Sequence, residues 1–447
     1  MKEKIVHIPE LHNNDYGFFD VLSGLCKDSM PKKYTIAETF VGAGGSHLGF
    51  KNNGFKTVYI NEWSKDCIDT LQYNNPEIFK NAIIDNKDIN DVDLSFLSKK
   101  LKNKVDVLFG GVVCKGFSLA GEKSPVDKRN YLYRKQLELV EALQPKISII
   151  ENVPALLNAK IVKQDIDDNL KKDIAEIYNA LEKIKGAKAD MRKKSLSTAD
   201  IDKQSIILRN KKKEIWNYLE KNNLLISVMD DIKAIYDTLG YKVYYNILNA
   251  TWYGSATARD RIVIIAVKKE ISKEYIFPAI THFNNQKNKN TVKIPIKDKC
   301  KKLVTVGDAL SLIDYKDASD VDNAPMQHNE KTVKRFSFIP EGGNIQDIIH
   351  NLPKDLHISK FYSRGCTMRL DRNKPSPTLV PGHSNFPVHP VENRSITVRE
   401  AATITGFPLN YKFFGSHTSR CEQVGNAVPV HLSNAIAKSV REFLDNL

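Results

Sequence analysis

Cysteine is scarce in this 447-residue chain, and its spacing excludes two common uses of the residue. The six cysteines are scattered, and no two of them form a C-x-x-C pair. This pattern argues against a zinc site and against a disulfide framework. We therefore expect free thiols in a reducing compartment and no bound metal.

Long apolar runs are also missing. The longest, such as Ile147 to Ile150 and Ile262 to Val267, fall far short of the roughly 20 residues that cross a bilayer. The first residues alternate apolar with polar side chains and lack the continuous apolar core of a secretory signal. These absences predict a cytoplasmic protein without a membrane-spanning segment.

The charge balance is strongly basic, with a formal net charge of +14. An excess of lysine and arginine favours a polyanionic partner such as nucleic acid, because neutralised phosphates release their counterions. A lysine-rich solvated surface gives the same balance, so charge alone leaves both readings open. The 41% hydrophobic content suffices for one large core or two moderate ones.

Short β-branched runs alternate with helical patterns along much of the chain. This alternation predicts an α/β fold with a parallel, doubly wound sheet, similar to a Rossmann fold. The predicted strands are Tyr34 to Phe40, Thr57 to Ile60, Val105 to Phe109, Ile147 to Ile150, Val243 to Leu248 and Ile262 to Val267.

The periodicity changes between residues 158 and 237. Apolar residues from Ile166 to Ile184 recur every three or four positions among many lysines and acids, as in an amphipathic helix. A second helical stretch, around Ile206 to Leu225, could pack against the first as a hairpin. We interpret 158–237 as a helical insertion with a structural or partner-binding role.

The remaining boundaries follow from composition. The periodicity fades after Lys268, where asparagine, lysine, proline and threonine mark an irregular segment. We expect an N-terminal extension (1–33), a sheet domain (34–267), a smaller irregular domain (268–395) and a C-terminal part that returns to the sheet domain (396–447).

Two motifs near the first strands suggest a nucleoside-containing cofactor. The first strand leads into a glycine turn that includes Gly42, Gly44 and Gly45, where the backbone can approach a ligand closely. The second strand ends in Glu62 and Trp63. A carboxylate there can accept both ribose hydroxyls, and an indole can stack on adenine.

A second group of reactive side chains follows later strands. Cys114 lies a few residues beyond the predicted strand Val105 to Phe109, and Glu151 directly follows the strand Ile147 to Ile150. Arg259 and Arg261 precede the last predicted strand. Each alone has an ordinary explanation as a core thiol, a surface acid or a surface ion pair. Ligands bind at the carboxyl edge of such sheets, so their shared placement favours a catalytic site.

The ordered set of motifs resembles the DNA cytosine-5 methyltransferase family of bacterial or phage type. The resemblance runs from the glycine turn through Thr397-Val398-Arg399-Glu400 to Gly425-Asn426-Ala427-Val428-Pro429. It implies transfer of a methyl group from S-adenosylmethionine to carbon 5 of a flipped-out cytosine in duplex DNA, leaving S-adenosylhomocysteine. It also implies a cognate restriction endonuclease as a partner within the same system.

The resemblance assigns roles to individual residues. Cys114 would be the nucleophile at carbon 6, Glu151 would hold N3 and the exocyclic amine, and Arg261 would bond O2. Arg259 would help to orient Glu151 and favour the Cys114 thiolate, both through its nearby positive charge. The cofactor would contact Phe40, Gly42, Gly44, Gly45, Glu62, Trp63, Asp88, Ile89, Leu132, Asn426 and Ala427. The DNA would contact Ser118, Arg129, Lys287, Lys289 and Lys293. The resemblance also implies that the sheet domain (34–267) is the catalytic domain and that the irregular segment (268–395) is the target-recognition domain.

Two departures from the family pattern lie close to the base pocket. Val113 and Lys115 flank Cys114 where the family has proline and glutamine, and Thr257 stands where the family has glutamine. These changes leave two alternatives open. One is a catalytically silent relative that binds DNA, and the other is an RNA cytosine-5 methyltransferase on the same fold.

Overall fold

The structure is a computed structural model, and it describes residues 31, 33–112, 124–194, 196–282, 294–358, 365–382 and 385–447. No helix among these residues is long and apolar enough to cross a membrane. The strands are β1 (Tyr34–Thr39), β2 (Phe55–Asn61), β3 (Ile83–Asp85), β4 (Val107–Gly111), β5 (Ile147–Asn152), β6 (Lys160–Val162), β7 (Leu225–Ser227), β8 (Tyr241–Asn249), β9 (Thr257–Ala258), β10 (Asp260–Lys268), β11 (Ile280–His282), β12 (Ile296–Lys301) and β13 (Ser376–Pro377).

Helices occupy much of the remaining described chain. They are α1 (Gly45–Asn52), α2 (Lys65–Asn74), α3 (Ile78–Asn81), α4 (Leu94–Leu101), α5 (Leu132–Leu143), α6 (Asp168–Lys193), α7 (Ala199–Lys221), α8 (Val228–Thr238), α9 (Val306–Leu310), α10 (Glu330–Phe338), α11 (Val398–Thr405), α12 (His417–Asn426) and α13 (Val430–Asp445).

A seven-stranded sheet with the order β3-β2-β1-β4-β5-β10-β8 forms the centre of the molecule. The predicted α/β fold is confirmed, and each predicted run overlaps a strand of this sheet. The expectation of a wholly parallel sheet needs one correction, because β10 pairs antiparallel with both β5 and β8. Strand β3 was not predicted, since three residues are too short to give a periodic signal.

Helices cover both faces of the sheet. On one face, α13 packs through Leu432, Ile436 and Val440 against β-strand residues such as Phe109 and Ile149. On the other face, α4, α5 and α8 bury residues such as Leu97, Leu137 and Ile232 against Leu108 and Ile150. Strands buried on both faces explain the continuous β-branched runs of the sequence.

The predicted helical hairpin is present as α6 and α7, which pack against each other. Its first helix begins at Asp168, so Ile166 precedes it. The antiparallel pair β6 and β7 lies at its base. Helix α8 falls inside the range predicted for the insertion, yet it packs on α5 and β8. It therefore belongs structurally to the sheet layer.

The segment predicted as a separate recognition domain divides between two clusters. Residues 336–356 and Val388 form a small apolar cluster of their own. Val306 and Leu310 of α9, together with Leu379, pack instead with α11 and α12. Part of the predicted recognition segment thus shares a core with the C-terminal part of the chain.

Candidate active site

The glycine turn after β1 forms an open backbone cradle at the carboxyl edge of the sheet. Phe40 (φ 52°), Gly42 (φ 55°) and Gly44 (φ 91°) all have left-handed backbones. No atom lies within 4 Å of a Cβ placed on Gly42, so the space beside this residue is open. Gly45 serves packing instead, because its Cβ would lie 2.3 Å from the carbonyl oxygen of Val428.

Glu62 closes this cradle from the end of β2. Its Oε2 accepts a hydrogen bond from the backbone N–H of Gly42 (2.8 Å), and its Oε1 accepts one from Ser64 (2.9 Å). Burial raises the pKa of Glu62, while these backbone donors oppose the shift. Each carboxylate oxygen has a second lone pair available, so the group can also receive hydroxyl donors of a ligand.

Two asparagines that sequence reasoning missed hold this turn in place. The side-chain amide of Asn86 donates to the carbonyl oxygens of Glu62 (2.8 Å) and Trp63 (3.1 Å). The amide of Asn61 donates in return to the carbonyls of Asp85 and Lys87. The ends of β2 and β3 are therefore tied to each other. No periodic pattern in the sequence announces such contacts.

The three other predicted residues of this edge differ in exposure. The Trp63 side chain is 71% exposed, an unusual state for a tryptophan and one that leaves its ring face open for stacking. Asp88 is exposed, and its carboxylate accepts from the backbone N–H of Asn90 at the start of a short 3-10 helix. Ile89 is buried.

Glu151 lies at the same edge of the sheet, at the end of β5. Its backbone pairs with Gly111 of β4, and a Cβ on Gly111 would lie 3.9 Å from Oε2 of Glu151. The neighbouring Gly110 is required sterically, since its Cβ would lie 2.6 Å from the side-chain amide carbon of Gln136. Burial raises the pKa of Glu151, and the nearby cations Arg261 and Arg259 oppose this shift.

Arg261 forms an ion pair with Glu151, with 2.7 Å between Nε and Oε1. Both side chains are nearly buried, at 10% and 8% exposure. They meet because β10 runs antiparallel beside β5 and brings its first residues next to the end of β5. Such a pair holds a carboxyl and a cation where a polar ring could contact both.

Arg259 lies close enough to Glu151 for its positive charge to oppose the rise in the pKa of that carboxyl. Its Nη1 donates to the carbonyl oxygens of Gly425 (2.8 Å) and Leu379 (3.1 Å). The contact with Glu151 in this structure comes from Arg261. Arg259 influences Glu151 through its charge, and its hydrogen bonds join three separate parts of the chain.

Thr257, which stands where the family has glutamine, contacts a neighbouring segment of the chain. Thr257 lies in β9, which pairs parallel with β13, and its hydroxyl donates to the carbonyl oxygen of Pro377 (3.2 Å). A few residues on, Pro381 packs so closely on Gly425 that a Cβ there would lie 2.5 Å from the Pro381 Cα. Thr257 therefore helps to fix the segment 376–381 beside Arg259.

The other described candidates lie around this edge. Arg129 is exposed, and its guanidinium pairs with the carboxylate of Asp127 (Nη2 to Oδ2, 2.5 Å). Leu132 is half-buried at the start of α5, and Asn426 is exposed at the end of α12. Ala427 is buried. Seven further predicted or discussed residues lie outside the described residues: Val113, Cys114, Lys115, Ser118, Lys287, Lys289 and Lys293.

The described edge fits a nucleoside cofactor. It offers a backbone cradle with open space at Gly42, a carboxylate in Glu62 that can accept vicinal hydroxyls, and an exposed indole in Trp63. These are the features that adenosine recognition needs. Among the described residues, no group of three or more histidine, cysteine, aspartate or glutamate side chains could hold a metal ion.

Comparison with known proteins identifies related sequences. Residues 34–184 and 217–442 match the model of the family described as C-5 cytosine-specific DNA methylase. The chain is 27% identical to the type II methyltransferase M.Eco47II of Escherichia coli, over 93% of this chain and 80% of that protein. It is 28% identical to M.NgoFVII of Neisseria gonorrhoeae, over 94% of this chain and 90% of that protein.

Solved structures share the fold. A crystal structure described as a DNA modification methyltransferase encoded within an E. coli prophage matches with a TM-score of 0.56 and 21% identity, over 92% of this chain and all of that one. A variant of Spodoptera frugiperda DNMT2 matches with a TM-score of 0.50 and 13% identity, over the same shares. At these identities the likeness concerns the fold.

Proposed function

This chain belongs to the C-5 cytosine-specific DNA methylase family, and on that premise we propose that it methylates carbon 5 of a flipped-out cytosine within a specific duplex sequence through a covalent Cys114 adduct. The observation that carries the proposal is the buried Glu151–Arg261 pair, which lies at the same sheet edge as the Gly42–Glu62 cradle. The ion pair suits a polar base, and the cradle suits a nucleoside cofactor.

S-adenosylmethionine would occupy the cradle, with Glu62 on the ribose, Phe40 and Trp63 packing on adenine, and Asp88 and Ile89 at the adenine edge. When bound, it supplies an electrophilic methyl group to carbon 5. The remaining proposed contacts are Gly42, Gly44, Gly45, Leu132, Asn426 and Ala427. The close packing of Gly45 on Val428 favours an indirect role for this glycine, in which it brings α1 and α13 together.

The protein's own groups would activate the base. The Cys114 thiolate adds to carbon 6, which moves an electron pair toward carbon 5 and builds negative charge on the ring. Glu151 in its protonated form donates at N3, and burial favours that form by raising the pKa of Glu151. Arg261 donates at O2. After carbon 5 is methylated, a solvent base takes its proton, the double bond re-forms, and the carbon–sulfur bond breaks.

Duplex DNA is the proposed substrate, so the target ring must leave the base stack before a thiolate can reach carbon 6. Extrusion costs a few kcal/mol, which contacts in the pocket offset. Ser118 and Arg129 would act near the extruded nucleotide. Lys287, Lys289 and Lys293, in a segment with ten lysines between Lys268 and Lys302, would contact DNA from the recognition part.

The biological setting follows from the relatives, several of which are named type II methyltransferases. We infer that this chain protects DNA within a restriction–modification system, beside an endonuclease that cuts the same sequence unless it is methylated. The experiment that tests the function is bisulfite sequencing of DNA from a host that expresses the chain. Protected cytosines in one sequence context are expected, and none with Cys114→Ala.

Two measurements separate the alternatives. Labelled methyl transfer to duplex DNA is expected, and its complete absence would indicate a silent DNA-binding relative. Transfer to duplex DNA should also exceed transfer to transfer RNA. The reverse preference would indicate an RNA methyltransferase on this fold.

A further inference from the structure

The helical hairpin of α6 and α7 is the largest described feature that the proposed chemistry does not use. The family match omits residues 185–216, which form the far end of this hairpin. A function for it must therefore be argued from its own residues. Three observations bear on it: where its base is attached, how its charge is distributed, and how far it reaches.

The base of the hairpin is packed on the segment that precedes α5. Val126 joins an apolar cluster with Val162, Ile174, Tyr178 and Leu219, which come from β6, α6 and α7. The backbone of Val162 accepts a hydrogen bond from the Tyr131 hydroxyl (3.0 Å) and donates one to the carbonyl of Pro125 (3.3 Å). Arg129, a proposed DNA contact, lies between these anchor points.

Helix α6 continues past Arg129. The hydrogen bond with Asp127 raises the pKa of Arg129, and the negative charge of Glu182, one turn beyond Tyr178, adds to this rise, so this part of α6 lies near the guanidinium. The part of the hairpin beyond Tyr178 therefore begins near a residue proposed to contact the DNA. From Tyr178 to Lys193, α6 adds about 23 Å, the length of about seven base pairs.

The charge of the hairpin is concentrated in this distal half. The Lys212 ammonium lies 4.6 Å from the centre of the Tyr178 ring, so these two residues stand at the same level of the antiparallel helices. Residues 178–212, which lie beyond this level, hold ten basic and four acidic residues, a net charge of +6 out of +14 for the chain. The rest of the hairpin (168–177 and 213–221) holds four basic and five acidic residues.

Most of the basic side chains of the distal half are exposed, whereas Lys188 pairs with Asp202 (2.8 Å) and Lys212 covers Tyr178. The exposed ones among the described side chains are Lys183, Lys185, Lys194, Lys203, Arg209 and Lys211. They are distributed along both helices, as contacts to a long polyanion would require.

We propose that the distal half of the α6–α7 hairpin binds the phosphate backbone of the substrate duplex outside the methylated sequence. This inference rests on the proposed function, because the duplex that it contacts is the one held at the active site. Backbone contacts of this kind add affinity without reading bases. The recognition sequence would remain the task of other residues.

The test compares two full-length variants with equal charge. In one, Lys183, Lys185, Lys203 and Arg209 are changed to glutamine. In the control, Lys56, Lys99, Lys100 and Lys102 are changed to glutamine; these residues are exposed near the amino ends of β2 and β4, at the edge of the sheet opposite the site. Both changes lower the net charge from +14 to +10. Thermal unfolding verifies that each variant folds.

Binding is measured by fluorescence anisotropy on duplexes that carry the sequence identified by bisulfite mapping, with flanks of about two or about ten base pairs chosen from the reach of α6. For the unmodified protein, longer flanks should tighten binding on the order of tenfold at low salt. The hairpin variant should lose this gain, and its salt slope should fall by about 0.9 per lost phosphate contact. The control variant should keep both the gain in affinity from longer flanks and the salt slope of the unmodified protein.

A hairpin variant that matches the control in flank dependence and salt slope would overturn the proposal. The failure of the proposed function would look different, because the unmodified protein would then leave no methylation pattern in the bisulfite experiment. At saturating DNA, the hairpin variant should transfer methyl groups at the unmodified rate. A loss of rate there would also contradict a role confined to flanking DNA.

Discussion

The Nε of Arg261 lies 2.7 Å from the Oε1 of Glu151, in a contact that water barely reaches. Removing two charges from water is costly, and the pair is favourable only while both members are present. Burial raises the pKa of Glu151, and the Arg261 cation limits that rise. The protonation of Glu151, and with it the proposed catalytic role, therefore depends on Arg261.

Arg261→Leu should destabilise the protein in a pH-dependent way. Without the cation, the pKa of Glu151 rises further above its value in the unfolded chain. The native state then binds more protons than the unfolded state, so its stability falls as pH rises. The deficit relative to the unmodified protein should be small below about pH 4, the usual range for glutamate. It should approach about 3 to 5 kcal/mol at neutral pH.

Chemical denaturation at several pH values measures this deficit. The double variant Arg261→Leu with Glu151→Gln is the matched control, because it has no buried carboxylate left to titrate. It should recover much of the lost stability at neutral pH. A deficit that stays constant with pH, or a double variant no better than the single one, would contradict the coupling.

Glu62→Ala should weaken S-adenosylmethionine binding by about 1 to 3 kcal/mol. The change removes the proposed acceptor for the ribose hydroxyls and the acceptor that fixes the backbone N–H of Gly42. Calorimetry measures the affinity, and Glu77→Ala, at an acid with an ion pair to Lys51, is the control. Unchanged affinity in Glu62→Ala would remove Glu62 from the cofactor site.

Two glycine-to-alanine changes should have opposite effects on stability. At Gly186, within α6, an added Cβ meets nothing within 4 Å, so alanine should raise the free energy of unfolding by about 0.5 to 1 kcal/mol. At Gly425 in α12, the Cβ would lie 2.5 Å from the Pro381 Cα, and a loss of about 1 to 3 kcal/mol is expected.

Gly425→Ala should also weaken cofactor binding, because the next two residues, Asn426 and Ala427, are proposed cofactor contacts. Denaturation curves and calorimetry on the two variants provide the comparison. If both changes stabilise the protein equally, the close contact between the segment 376–381 and α12 does not exist as described.

Lys115→Gln tests a hypothesis from the sequence. A cation next to Cys114 favours the thiolate, and it could offset the preorganisation lost where valine replaces proline at position 113. The change should shift alkylation of Cys114 to higher pH and slow single-turnover methyl transfer, whereas Val113→Pro should speed transfer. Equal alkylation profiles and equal rates for Lys115→Gln and the unmodified protein would disprove the compensation.

Sequence patterns predicted the sheet well because its strands are buried on both faces and read as continuous β-branched runs. The direction of β10 was missed, since apolar content does not encode whether a strand runs parallel to its neighbours. Strand β3 was not predicted because three residues are too few to show a periodic pattern. The hairpin was predictable from the spacing of its apolar residues. That its positive charge lies in the distal half could be recognised only from the contact between Tyr178 and Lys212, which shows where that half begins.

For the site, the sequence indicated which residues end each strand but not what they contact. Arg259 and Arg261 are two residues apart, and the structure directs one to the carbonyls of Leu379 and Gly425 and the other to Glu151. Asn86 was missed because its amide bonds only backbone carbonyls. Such contacts depend on tertiary neighbours and leave no periodic signal.

Covalent trapping tests the central claim most directly. Duplex DNA with 5-fluorocytosine at the mapped target, incubated with the protein and S-adenosylmethionine, should give an adduct that survives denaturing electrophoresis, since fluorine at carbon 5 cannot leave as a proton does. Peptide mapping should locate the attached nucleotide on Cys114, and Cys114→Ala should form no adduct. An adduct that persists in Cys114→Ala, or no adduct with the unmodified protein on methylatable DNA, would contradict the account.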